Sequence, residues 1–208
     1  MPGTKIHTVF DVGANVGETV ARYREANPDA RIWAFEPVRA SYQVLFAATS
    51  RLHGVHAFNV ALGGTNRTGL ISARGTSDQN TLVTEAYEGE AQPVDIITGD
   101  AFCKTHGIEH ISLLKIDTEG GDLDVLRGFH GMLGDARIDL ILVEAGMHAK
   151  NLQHVPLERF KGYLEPIGYA VFRFYRQSAE RRGGPHLRRA DVMFVSPRLI
   201  ERYAGSRP

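Results

Sequence analysis

A single cysteine among 208 residues, Cys103, has no partner for an internal disulfide. That excludes a disulfide-stapled scaffold and points to a reducing compartment. Net charge is missing too, because 24 Lys and Arg balance 24 Asp and Glu. The chain therefore lacks the overall basic footprint of a nucleic-acid binder, which leaves only a local basic patch. No apolar run approaches about 18 residues, so no membrane-spanning helix is expected. Met1 to His7 contains no apolar h-region, so no signal peptide is expected. These absences predict a soluble, cytoplasmic chain, a monomer or homodimer, with neither nucleic acid nor membrane as partner. Disorder and coiled coil are excluded by what is present, 43% hydrophobic and 23% charged residues. The length fits one domain, residues 1–208.

The apolar segments alternate in type. Thr8 to Val12, Arg31 to Phe35 and Val55 to Val60 read as short buried strands. Glu18 to Ala26 and about Ala40 to Leu52 read as the helices between them, stopped by Asn27-Pro28 and by Gly54. Such β-α-β-α-β units predict an α/β fold with a mostly parallel sheet covered on both faces. Residues 63–99, rich in Gly, Thr, Ser and Asn, read as a small β insertion after the third strand, with weak strands at Gly69 to Ala73 and Val94 to Thr98. Alternation resumes with strands at Ile111 to Ile116 and Ile138 to Val143 and helices at Asp122 to Gly128 and Leu157 to Leu164. Two last strands, Tyr169 to Tyr175 and Asp191 to Val195, are joined by a polar loop.

Ligands of open α/β sheets bind outside the carboxyl ends of the strands. Here those exits are polar in succession: Asp11 with Gly13, Glu36, Asn59, Asp117 with Glu119, and Glu144. Any one acid could simply cap the following helix, but five such exits exceed what stability needs. The first exit reads Asp11-Val-Gly-Ala-Asn-Val-Gly17. It is G-x-x-x-G, not the G-x-G-x-x-G of a dinucleotide cradle, and no Gly-Lys-Ser/Thr follows as in a P-loop. A nucleoside without phosphates suits the more open loop. Glu36, 25 residues after Asp11, can accept hydrogen bonds from both hydroxyls of a ribose.

Five stretches, in order, resemble the FkbM-type S-adenosylmethionine-dependent methyltransferases of the class I superfamily. They are Val9 to Thr19, Ala34-Phe-Glu-Pro37, Asn59 to Gly63, Leu114-Lys-Ile-Asp-Thr-Glu-Gly120 and Leu142-Val-Glu144. The resemblance fades after residue 147. It implies a Rossmann-like seven-stranded sheet with an antiparallel last strand, for which Asp191 to Val195 is the candidate, and S-adenosyl-L-methionine as cofactor. By resemblance, Gly13, Ala14, Asn15 and Gly17 wrap the methionine part and Glu36-Pro37 holds the ribose. Asn59, Val60 and Ala61 lie along the adenine, and Asp117 faces the methionine amino group or the reacting centre. Residues 147–208 would supply acceptor-side loops.

The implied reaction is O-methylation of a hydroxyl on a small molecule, a sugar or natural product. Positioning dominates such a displacement, because the sulfonium carbon is already activated. The acceptor must lose a proton, and the candidate bases are Asp117, Glu119, Glu144 and His148. His148 is one of nine histidines, and a surface position is its plainer reading. Asp117, Glu119 and Glu144 could alternatively hold Mg²⁺, an arrangement ranked below one without metal. Lys115 could pair with an acid such as Glu144. Arg173 to Arg189 contains six arginines and one acid, Glu180. They could grip an acidic acceptor, although a solvated loop is the plainer reading. Tyr169, Phe172, Phe174 and Tyr175 read as sheet core. Gly75 to Leu82 is either a loop closing over the ligand or an ordinary polar loop. The alternatives are N- or carboxyl-methylation, a cofactor-binding module without catalysis, and, more weakly, a nucleotide-dependent dehydrogenase. Asp117-Thr-Glu-Gly120 replaces the Asp/Asn-Pro-Pro-Tyr of nucleic-acid N-methylation, which argues against that substrate.

Overall fold

The computed structural model describes residues 5–76, 80–84, 86–149, 151, 153–180 and 185–205. The strands in chain order are β1 (Thr8–Val12), β2 (Arg31–Phe35), β3 (Val55–Phe58), β4 (Ala61–Leu62), β5 (Arg67–Ser72) and β6 (Leu82–Val83), then β7 (Ala91–Ile97), β8 (Ile111–Ile116), β9 (Ile138–Gly146), β10 (Ala170–Ala179) and β11 (Leu187–Val195). The helices are α1 (Glu18–Ala26), α2 (Arg39–Thr49), α3 (Gly99–His106), α4 (Asp122–Gly128), α5 (His130–Gly134), α6 (Leu157–Leu164) and α7 (Pro197–Ala204).

Period-two alternation places successive residues of a strand on opposite faces. In β1, Val9 joins one apolar layer with Ile32, Leu113 and Leu140, closed by Val20 of α1, Leu45 of α2 and Leu199 of α7. Phe10 and Val12 join the other, with Phe35, Leu114 and Ile116, closed by residues of α3, α4, α5 and α6. Both faces of the sheet are thereby buried, which is why its central strands are largely apolar on both faces, apart from the buried charges Asp11 of β1 and Lys115 of β8.

The seven-stranded sheet has the order β10-β11-β9-β8-β1-β2-β3. β11 is antiparallel to both neighbours, as expected for the Asp191 to Val195 segment, and the remaining neighbouring pairs are parallel. The strand order reverses between β1 and β8. A crevice therefore opens there, beyond their carboxyl ends.

After β3 the chain builds a second sheet, β4-β7-β5-β6, over its own cluster of Val38, Ala61, Ile71, Val94 and Ile96. β5 and β7 pair antiparallel from Arg67↔Ile96 to Ser72↔Ala91. Three helices had no counterpart in the sequence reading: α3, α5 and α7. Thr98 Oγ1 accepts from Ala101 N at the start of α3, and Ser196 Oγ accepts from Leu199 N at the start of α7. Asp100 carries the turn into α5, accepting from Gly131 N and Met132 N. No described helix is long and apolar enough to cross a membrane.

Candidate active site

At the end of β1 the chain turns so tightly that Gly13 N and Ala14 N both donate to Phe35 O of β2, at 3.0 Å each. Gly13 adopts φ +80°, and a Cβ there would lie 1.9 Å from Asp117 O. Only glycine permits this approach of the β1 exit to the β8 exit. Asn15 follows with φ +47°. Its backbone N–H thereby donates to Glu36 Oε2 at 2.9 Å, while Val38 N donates to Oε1 at 2.8 Å. Glu36 is buried and fixed by these two bonds, and each oxygen keeps a lone pair for a further donor. Burial pushes its carboxyl above the usual range despite both N–H groups.

These residues line a cavity of about 490 Å³, within the usual size for a cofactor or drug-sized ligand. Its walls include Gly13, Ala14, Asn15, Glu36, Pro37, Val60, Ala61, Asp117, Glu119 and Glu144. Three other residues singled out from the sequence stand behind the wall. Gly17 abuts Leu45 and Thr49. Asn59 uses its Nδ2 to hold the carbonyls of Glu36 and Pro37, at 2.9 Å each. Asp11 is fully buried and accepts from Lys115 Nζ at 2.9 Å.

That contact corrects the pairing of Lys115 with Glu144. Asp11 and Lys115 are register partners across β1 and β8, so their side chains stand side by side. Lys115 Nζ also lies 3.5 Å from Asp117 Oδ2. Burial alone would lower the lysine's pKa, but Asp11 and Asp117 outweigh it and hold it raised and charged. Glu144 stands instead opposite Asp191 in the β9–β11 register. Arg189 Nη1 bonds Glu144 Oε1, and His154 Nε2 lies 2.8 Å from Oε2. Burial pushes the Glu144 carboxyl up, but His154 and Arg189 overcome it and hold it below the usual range.

Glu119 sits in a left-handed turn, φ +50°. Asp122 builds that turn by accepting from Thr118 N and Gly120 N. Burial raises the Glu119 pKa, and one hydrogen bond from Gln153 Nε2, 3.2 Å, opposes it. Asp117, Glu119 and Glu144 each offer a carboxylate oxygen within 4.8 Å of the others, so by distance they could hold one cation.

His148 is placed against His186, rings 4.1 Å apart, and does not line the cavity. The histidine beside the carboxylates is His154, buried and within 3.1 Å of Asn151 Oδ1 through Nδ1. Nothing in its local sequence marked it among nine histidines. Of the arginines between 173 and 189, Arg173 lies over Phe172 and Tyr175, and Arg188 bonds Gln153. Arg176 bonds Asp191, and Arg189 bonds Glu144. Arg181 and Arg182, with Gly183 and Gly184, lie outside the described residues. From the Gly75 to Leu82 segment, Asn80, Thr81 and Leu82 line the cavity, and Thr81 Oγ1 donates to Glu119 O. Ser77 to Gln79 lie outside the described residues.

The cavity lining carries seven carboxylates against three cations. A pyrophosphate would be repelled there, whereas a cationic nucleoside is attracted. Asn15 Oδ1 is buried in the wall without a hydrogen-bond partner among the described residues, an acceptor suited to an ammonium or hydroxyl donor.

A model of the methyltransferase FkbM domain matches residues 11–172. The methyltransferase sdnD of Sordaria araneosa is 31% identical over 153 residues, covering 58% of this chain and 59% of its own length. The hexuronic acid methyltransferase AglP of Haloferax volcanii is 25% identical over 151 residues, covering 69% of this chain and 59% of its own length. The chain thus spans about three fifths of the curated relatives it matches. Among solved structures, a methyltransferase FkbM from Methylobacillus flagellatus shares the fold at TM-score 0.61 and 16% identity, over 92% of this chain and 43% of that one. SMU.1697c of Streptococcus mutans, solved with S-adenosylhomocysteine, shares it at TM-score 0.53 and 9% identity, over 92% of this chain and 89% of that one.

Proposed function

The chain belongs to the FkbM methyltransferase family, and we propose that it methylates a hydroxyl of a small molecule, a sugar or natural product, using S-adenosyl-L-methionine. The observation that carries this reading is the pairing of two unlike carboxylate sites around one cavity. Glu36 is immobilised by backbone N–H groups at one end, and the carboxylates of Asp117, Glu119 and Glu144 converge at the other. The cofactor supplies an activated methyl group on a sulfonium. Asn15 and Glu36 are the residues to hold its polar parts, Val60 and Ala61 its apolar face, and Asp117 its ammonium.

Glu119 is the base the reading favours. A base works best when its pKa lies near the operating pH, and burial moves Glu119 in that direction. Glu144 is moved the other way by Arg189 and His154, which suits it to orienting rather than to taking a proton. The same two side chains occupy both oxygens of Glu144, so it is a poor third ligand for Mg²⁺ and the reading runs without metal. AglP is named for a hexuronic acid, which agrees with a sugar acceptor bearing an acidic group.

Calorimetric titration with S-adenosylhomocysteine tests the reading. Binding is expected, and Glu36→Ala should weaken it about ten-fold or more, the cost of losing hydrogen bonds to a charged group. A wild-type protein that binds no S-adenosylhomocysteine overturns it.

A further inference from the structure

Strand β10 is interrupted next to the cavity. Its pairing with β11 shifts register between Tyr175 and Ser178, and within this bulge Arg176 adopts φ +36°. A non-glycine residue in that region is held there by its surroundings at some cost, and bulges re-aim side chains beside sites. Here the bulge turns Arg176 to the cavity wall, where Arg189 and Asp191 of β11 also stand. Arg176 Nε donates to Asp191 Oδ2 at 2.5 Å. The Asp191 side chain is only 6% exposed, whereas that of Arg176 is 62% exposed. The buried carboxylate thus grips the guanidinium at Nε, and the two Nη groups make no hydrogen bond to any described residue. The outer edge of a guanidinium presents paired donors at the spacing of a carboxylate or phosphate.

The acid excess of the cavity does not forbid an anion at this end. Glu18, Glu36 and Asp124 line it elsewhere. Near Arg176, Asp191 is matched by Arg176 itself, Glu144 by Arg189, and Asp117 shares Lys115 with Asp11; Glu119, bonded by Gln153, is the one acid of this group with no ion pair to a described residue. The other described arginines of the region are spent on rings, Gln153 or Glu144.

We propose that Arg176 is the specificity-determining residue for the acceptor, reading an anionic group, carboxylate or phosphate, on a sugar-like molecule. This rests on the methyltransferase reading above. The test uses the full chain saturated with S-adenosylhomocysteine, titrated in a calorimeter with methyl β-D-glucuronide, glucose 6-phosphate and the uncharged methyl β-D-glucoside. At least one anionic sugar should bind about ten-fold or more tightly than the glucoside. Arg176→Gln should remove that preference, Arg176→Lys should keep part of it, and neither should change S-adenosylhomocysteine affinity. Equal binding of all three sugars, no binding of any, or a preference that survives Arg176→Gln overturns the role of Arg176 while the methyltransferase reading stands. Failure to bind S-adenosylhomocysteine overturns both.

Discussion

Lys115 and Asp11 meet 2.9 Å apart inside the sheet, as register partners of adjacent parallel strands. Both are almost completely buried, and the lysine's second contact, Asp117, is on the cavity wall. One cation therefore ties the core of the sheet to the functional surface.

Removing it should be costly. Lys115→Met leaves Asp11 buried without its partner, a class of change that costs about 3–5 kcal/mol. In a protein of this size the melting temperature should drop by about 10 °C. The double variant Asp11→Asn/Lys115→Met should melt higher than Lys115→Met alone, because the orphaned charge is gone. Strictly additive losses in thermal melts would show that the pair does not act as a unit.

Gly13→Ala should abolish S-adenosylhomocysteine binding. The added Cβ meets Asp117 O at 1.9 Å, so the β1 and β8 exits must move apart, and the left-handed φ adds strain of more than about 1 kcal/mol. Calorimetry and a thermal melt check the two effects separately. Unchanged affinity would mean that this approach does not shape the cofactor site.

Glu119→Gln separates proton transfer from binding. With any acceptor that is turned over, release of S-adenosylhomocysteine should slow about 10²–10⁴-fold, the usual contribution of a positioned base. Affinity for the cofactor product should hardly change. Glu144→Gln should instead affect acceptor KM more than kcat. A Glu119→Gln enzyme at full rate would transfer the role of base to another group.

Asp122 gives a pH dependence of stability. Burial pushes its pKa up to about 6, against the N–H groups of Thr118 and Gly120, from about 3.9 in an unfolded chain. Between those values the folded state binds more protons than the unfolded state. This group's contribution to stability therefore falls as pH rises from about 4 to 6 and is level above that. Asp122→Asn should lack that slope. Urea midpoints at several pH values for both proteins would reveal it, and parallel curves would contradict it.

The central strands and the glycine turn were readable because their signals are local. Thr8 to Val12 offers apolar side chains to both faces, Val9 to one and Phe10 and Val12 to the other, and Gly13 follows it at once. The partner of Lys115 was not readable, since register between strands about a hundred residues apart leaves no trace in either segment. The same holds for His154. It lies near Glu144 because Asn151 and the return of the chain toward β11 place it there, whereas His148 is nearer in sequence and ends against His186. β7 was read short at its start. Pro93 interrupts the strand pattern, yet it sits where β7 has only β5 as neighbour, so no second ladder needs its missing N–H. The start of α7 did carry a signal, Ser196-Pro197, a cap followed by a first-turn proline, but eight residues gave it little periodic support.

The match to the family model ends at residue 172, the third residue of β10. Arg176, Ser178, Arg189 and Asp191, all on the cavity wall, come after it on the β10–β11 hairpin. The parts that would hold the cofactor lie before that boundary. If Arg176 reads the acceptor as proposed, acceptor choice lies on one contiguous edge hairpin, a cassette that could be transplanted between relatives without disturbing the glycine turn or Glu36. On that proposal, divergence there would change which acceptor is taken while leaving the family match plain in the first four fifths of the chain.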